Sequence, residues 1–178
     1  LRETLEEAGL LLGAGHAPLP VIEKTRDAVH ADAGVFVDAL AANGLSLDLS
    51  EMAEAARFVT PVGPPRRFDT RFFVAAAPAD QIAKHDEEEV VQHVWIEPGE
   101  AIAQFRNDAF PMMSVTHRML ACLARYETVA ELMAVAHERK PIQRVRVNDP
   151  DGAYEVVLPG EPGYETADLE IEHGWIRI

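Results

Sequence analysis

A change of hydrophobic period limits the folds open to this chain more than any other feature. Between Asp27 and Leu40, the apolar residues Val29, Ala33, Phe36, Val37 and Leu40 recur near helical spacing. Further on, Phe68, Thr70, Phe72 and Val74 alternate with Asp69, Arg71 and Phe73, which is the two-residue period of a strand. A chain carrying both periods is neither a helical bundle nor an all-β sandwich. The remaining signals place a helix over 2–9, closed by Gly9 or Gly13. They place a loop over His16–Pro20 and a helix from Asp27 to Leu40, ended by Asn43-Gly44. Asp48 or Ser50 then caps a short helix through Ala56, and Pro61 to Pro65 form a rigid linker. A second strand is expected over Glu89–Ile96 and a helix over Glu100–Phe105. Helices follow over Thr116–Tyr126, with Met119, Leu120 and Leu123 inward, and over Thr128–Arg139. Short strands close the chain around Gln143–Val147, Tyr154–Leu158 and Trp175. This order of elements does not match a βαβ nucleotide-binding repeat, and no phosphate-cradling glycine loop is present.

With 178 residues, 48% apolar, the chain suits one domain burying roughly 70% of its unfolded surface. No apolar run approaches the roughly 18 residues that span a bilayer, so no membrane partner is expected. The single Cys122 can form neither an internal disulfide nor a cysteine-rich zinc site, and a reducing, cytoplasmic compartment fits best. Thirty acidic residues against sixteen basic ones argue against a nucleic-acid partner, which requires positive surface to displace counterions. The chain opens on Leu1 inside a helical pattern without a cap, which leads us to expect that further sequence precedes it.

The densest chemistry lies in Arg2-Glu3-Thr4-Leu5-Glu6-Glu7-Ala8-Gly9-Leu10. On a helix, Glu3 and Glu7 point to the same side, roughly 40° apart, with Glu6 beside them. Like charges at this spacing repel, and a sequence tolerates them when something positive sits among them. A hard divalent cation such as Mg²⁺, which prefers oxygen ligands, is the natural candidate. Arg2 is placed to orient a neighbouring carboxylate through a bidentate contact. The alternative is a solvated acidic helix face, and spacing alone does not decide between the two.

The identities go further than the spacing. Arg2 to Leu10 resembles the second half of the Nudix box, G-x5-E-x7-R-E-U-x-E-E-x-G-U with U a bulky apolar residue. Arg2, Glu3, Glu6, Glu7, Gly9 and Leu10 stand at its fixed positions, and Thr4 departs at the first apolar one. The first half of the box would lie before Leu1. A second likeness runs through Thr60-Pro61, Arg67–Phe73, Asp86–Glu89, Trp95–Pro98, Glu100-Ala101 and the tail Leu158–Tyr164 with Trp175. These segments resemble the Nudix branch that includes the peroxisomal coenzyme A diphosphatase and its bacterial relatives.

The resemblance implies an α+β fold of the α/β/α sandwich type, a mixed sheet between helices. One domain would cover 1–178, with a helical insertion at 14–60 that selects substrate and a C-terminal tail at 159–178. It implies a hydrolase that cleaves a diphosphate linkage in a small-molecule, nucleoside-diphosphate-type substrate, coenzyme A or acyl-coenzyme A among them. Mg²⁺ or Mn²⁺ would be held by Glu3 and Glu7, with Glu6 as a further ligand or base and Arg2 orienting them. Glu89, six residues before Trp95, would be the general base or an additional metal ligand. Arg67 and Arg71 share one strand face and either clamp a phosphate or pair with Asp69. The helices at 27–56 and 116–139 pack on the core, cover the substrate's other moiety, or build a homodimer interface. The seven histidines show no metal-ligand spacing, and Ser114 and Thr116 lack the His/Asp pattern of a nucleophile. A non-catalytic Nudix domain that senses a ligand or binds a partner is the competing reading.

Overall fold

The computed structural model describes residues 1–60, 62–63, 65–148, 155–167 and 169–178, and of 169–173 the backbone alone. The chain forms two compact units, Leu1–Met52 with Ala75–Trp95, and Ala53–Val74 with Ile96–Ile178.

In the first unit, helix α1 spans Arg2–Ala8 and stops at Gly9. Gly9 adopts φ 69°, and its N–H and that of Leu10 return to the carbonyls of Leu5 and Thr4, satisfying the last turn. Helix α2 covers Leu19–Ala31, so it begins earlier than its apolar spacing suggests. Pro20 falls in its first turn, where a missing N–H costs nothing, and the expected His16–Pro20 loop is shorter for that reason. The single helix expected over 27–40 is broken at Asp32. That residue is extended, and its carboxylate accepts from the Gly34 amide at 2.8 Å, turning the chain before α3, Phe36–Ala42. Asn43 and Gly44 end α3 as expected. Leu5, Leu11, Ala17, Ile22 and Leu40 bury together as the core of this unit.

The returning segment 75–95 contains neither helix nor strand, so the strand expected over Glu89–Ile96 is not formed. Asp86 supplies the reason: its carboxylate accepts from the amides of Glu88, Glu89 and Val90, which curls the chain into a turn where a ladder would need it straight. The apolar alternation beyond it, Val91, Val94 and Trp95, lies exposed.

The second unit is built on strands β1 (Ala53–Val59), β2 (Asp69–Val74), β3 (Gln143–Asn148), β4 (Glu155–Val157) and β5 (Leu169–Ile176), in the order β2-β1-β5-β3-β4. Strand β1 overturns the helix expected through Ala56. Asp48 does accept an amide, that of Ser50, but it closes a local turn and caps no helix. The α+β reading stands, while every described strand pairing is antiparallel where a mixed sheet was expected. Two hairpins explain this, because β1–β2 and β3–β4 each reverse directly and β5 runs antiparallel to both neighbours. Residues 61 and 64 of the expected linker, and Tyr154 at the start of the expected strand, lie outside the described residues.

Helices α4 (Pro98–Arg106), α5 (Ser114–Leu123) and α6 (Val129–His137) complete this unit. Thr128 caps α6 by accepting from the Glu131 amide at 3.1 Å. A register shift between Glu54 and Ala56 turns two consecutive alanines, Ala55 and Ala56, inward. Their small side chains suit the close approach of α6, which packs on β1 through Ala136 in the same core. Met119, Cys122, Val145, Val147 and Ile176 fill the rest, and burial pushes the Cys122 thiol pKa up, as befits an inert packing residue. Among the described residues, no helix is long and apolar enough to cross a membrane.

Candidate functional site

Helix α1 carries Arg2, Glu3, Glu6 and Glu7 on the surface of the first unit. Arg2 does not grip one carboxylate bidentately; it bridges two. Its Nη2 donates to Glu3 Oε1 at 2.9 Å and its Nη1 to Glu6 Oε2. Glu3 remains 71% exposed and Glu6 is sunk to 14%. Arg2 therefore supplies a positive charge inside the acidic cluster. Glu7 has no hydrogen-bond or ion-pair partner among the described residues, which leaves it the freest acid of the three.

The far end of α1 is fixed by residues that carry no motif. Arg26 of α2 donates through Nε and Nη2 to the Glu6 carbonyl at 2.9 and 2.5 Å, and through Nη2 to the Lys84 carbonyl at 2.9 Å. A cation on these terminal carbonyls also opposes the negative end of the helix dipole. The Lys84 amide donates to Ala8 O at 2.9 Å. Gln81, almost fully buried, accepts from the Leu11 amide at 2.8 Å and donates to the Leu11 carbonyl at 3.1 Å. These bonds pin segment 75–95 against α1 and hold its carboxylates on a rigid mount. Neither Arg26 nor Gln81 is singled out by sequence reasoning. Their partners are main-chain groups 20 and 70 residues away, and no local pattern encodes those.

Glu89 lies in the exposed Asp86 turn, its amide donating to Asp86 Oδ2 at 3.3 Å. Among the described residues its carboxylate pairs with nothing, and the structure does not join it to the α1 glutamates. The Val90 amide above all, at 2.8 Å, holds the Asp86 carboxyl below the usual aspartate range. A carboxyl depressed in the folded state stabilises its turn at every pH above the ordinary aspartate pKa, and that support is lost as pH falls through the depressed value. The Val90 amide resonance should accordingly move in a titration whose midpoint lies below that of an aspartate in unstructured peptide. A midpoint at or above the ordinary value would contradict this geometry.

Arg67 and Arg71 belong to the second unit. Arg67 Nε donates to the Thr60 carbonyl at 2.8 Å, and Arg71 Nε lies 3.6 Å from Glu54 Oε1 across the hairpin. Asp69 receives a bidentate pair from Arg57, at 2.7 and 2.5 Å. The histidines expected to have no ligand spacing include one contact that spacing hides: His85 and His93 meet Nδ1 to Nδ1 at 2.7 Å.

The α1 acids offer hard carboxylate oxygens, one set of them unpaired, and in donor chemistry they fit a divalent cation. Among the described residues, however, no three His, Cys, Asp or Glu side chains are gathered to hold a metal. Arg2 engages Glu3 and Glu6 together. A cavity of about 470 Å³ opens beyond α1, lined among others by His16, Asp48, Glu51 and Asp80, with His16 Nδ1 paired to Asp80.

Comparison with known proteins covers these same residues. A family model described as the NUDT19 Nudix domain matches residues 1–114, which take in α1, the pinned segment and α4. The acyl-coenzyme A diphosphatase NUDT19 of Gallus gallus is 27% identical over 162 residues, covering 78% of this chain. The chain spans only 43% of that relative's length. Among solved structures, a NUDIX hydrolase from Alicyclobacillus acidocaldarius superposes with a TM-score of 0.60 at 27% identity, over 75% of this chain and 63% of the other.

Proposed function

The chain belongs to the family of the NUDT19 Nudix domain, and from that premise we propose that it hydrolyses a diphosphate linkage in a coenzyme A-type substrate, using Mg²⁺ or Mn²⁺. The observation that carries this reading is α1 itself. Its Arg2, Glu3, Glu6 and Glu7, and the Gly9 that stops it, stand at the box positions, and the helix is bolted from behind by Arg26 and Lys84. The substrate class rests on the printed name of the chicken relative, an acyl-coenzyme A diphosphatase.

In this proposal Glu3, Glu7 and Glu6 hold the cation, which when bound neutralises the diphosphate and makes a water more acidic. The protein's own part is positional. Arg26, Lys84 and Gln81 keep the carboxylates from drifting, and catalytic geometry tolerates little drift. Arg2 gives Glu3 and Glu6 a counter-charge while no cation is bound, and so limits their repulsion. Glu89 is proposed as the general base or a further ligand, reaching from a turn whose amides Asp86 organises. Arg67 and Arg71 are proposed phosphate contacts, and α2 and α3 the substrate-selecting insertion.

The test is product release from coenzyme A, acyl-coenzyme A, ADP-ribose and dinucleotides, with Mg²⁺ or Mn²⁺ and with chelator. Metal-dependent cleavage of coenzyme A or its thioester is the expected result. The Arg2 bridge favours a second reading, a binding domain whose acids are neutralised by an arginine and need no cation. Cleavage of nothing across the panel, with ligand binding retained in chelator, would establish that reading in place of the first.

A further inference from the structure

The chain carries a formal charge of −14 and only sixteen Lys and Arg residues, yet three of them line one cavity of about 410 Å³ in the second unit. Arg125, Lys140 and Arg177 share it with Tyr126, Gln143 and apolar side chains such as Val135, and among the described residues no acidic side chain lines it. Helix C-termini attract cations, which accounts for Arg125 just beyond α5 and Lys140 just beyond α6. It does not account for Arg177, which follows β5. The Arg177 guanidinium stacks 4.9 Å from the centre of the Trp175 ring, and its Nε is buried without a hydrogen-bond partner. A buried, unsatisfied guanidinium N–H is costly and asks for an acceptor. Arg125 has no acidic partner among the described residues, and Lys140 has only Glu138 at 3.6 Å, a pair more than half exposed at both ends. Such exposed pairs do little to quench a charge.

We propose that this cavity binds the phosphate group of a phosphorylated small molecule, with Arg125, Lys140 and Arg177 supplying the charge and Tyr126 and Val135 packing its organic part. The volume lies within the range of roughly 300–1,000 Å³ usual for small-molecule sites. The site uses none of the α1 acids, so it stands or falls independently of the hydrolase reading.

Calorimetric titration of the whole chain with AMP, adenosine and inorganic phosphate, all in chelator, tests it. AMP is expected to bind saturably and at least tenfold more tightly than adenosine, and to weaken as salt rises. Arg125→Gln and Lys140→Gln should each weaken it about tenfold, Arg125→Lys less, and Glu7→Gln not at all. A phosphate affinity matching that of AMP would mark a free anion as the ligand, and weaker phosphate binding a phosphorylated molecule. No saturable binding of AMP or phosphate, or binding that both glutamine variants leave within twofold, overturns the proposal.

Discussion

Glu7→Gln should lower kcat by roughly a hundredfold or more, the scale on which losing a single charge-stabilising group acts in a transition state. Glu7 is singled out by what surrounds it. Glu3 and Glu6 already share the Arg2 guanidinium, while Glu7 is free to take a cation. Glutamine keeps the shape and the helix propensity and removes only the charge. Thermal stability should hold or rise slightly, because the Glu3–Glu7 repulsion at helical spacing, worth about 0.2–0.5 kcal/mol, is relieved. The measurements are steady-state turnover with Mg²⁺ and Mn²⁺, together with a melting curve. Undiminished turnover in a folded variant would remove Glu7 from the metal-binding set.

Gly9→Ala should destabilise the chain by about 2–5 kcal/mol, the sum of left-handed backbone strain at about 1–2 and overpacking at about 1–3. Gly9 has φ 69°, and a methyl group there would meet the Lys84 carbonyl at 3.2 Å and Arg26 Nη1 at 3.3 Å. Both neighbours are themselves held by α1, so neither can step aside without breaking a hydrogen bond. Gly15 is the internal control. Its φ is 62° and nothing lies within 4 Å of an added methyl, so Gly15→Ala should cost only the backbone strain. Denaturant midpoints at unchanged slope would check both. Equal losses at the two sites would show that crowding by Lys84 and Arg26 contributes nothing.

Gly9 also shows which parts of the molecule can be read from a linear sequence. Its need for positive φ is a property of one residue, so the end of α1 is legible from the chain alone, as is the stop at Asn43-Gly44. The alternation over β2 is legible at its end, where Phe72 and Val74 turn toward the core while Arg71 and Phe73 stay exposed; Thr70 earlier on the same face is exposed as well. Strand β1 is not legible. Ala53–Val59 is rich in a helix-favouring residue, and its extended form is imposed by pairing with β2 and β5 on either side. The opposite error at Glu89–Ile96 has a matching cause, since alternation fixes which side chains share a face and says nothing about whether a partner strand exists. Within the candidate site, the carboxylates and Arg2 are encoded within nine residues. Their mount is encoded nowhere locally, being made of side chains that reach distant backbone.

The place of β5 in the sheet bears on how the second unit comes into being. It is last of the strands in chain order and yet lies in the middle, flanked by β1 and β3. The hairpins β1–β2 and β3–β4 can each form early from local contacts, but they have no common seam until β5 arrives to join them. The joining contacts span from Arg57 to Trp175, so they carry the loop-closure entropy of most of the chain. During synthesis, two half-sheets with open edges must therefore wait for β5 to leave the ribosome. Folding of this unit should be slow for its size, and the exposed edges stay sticky until β5 joins them.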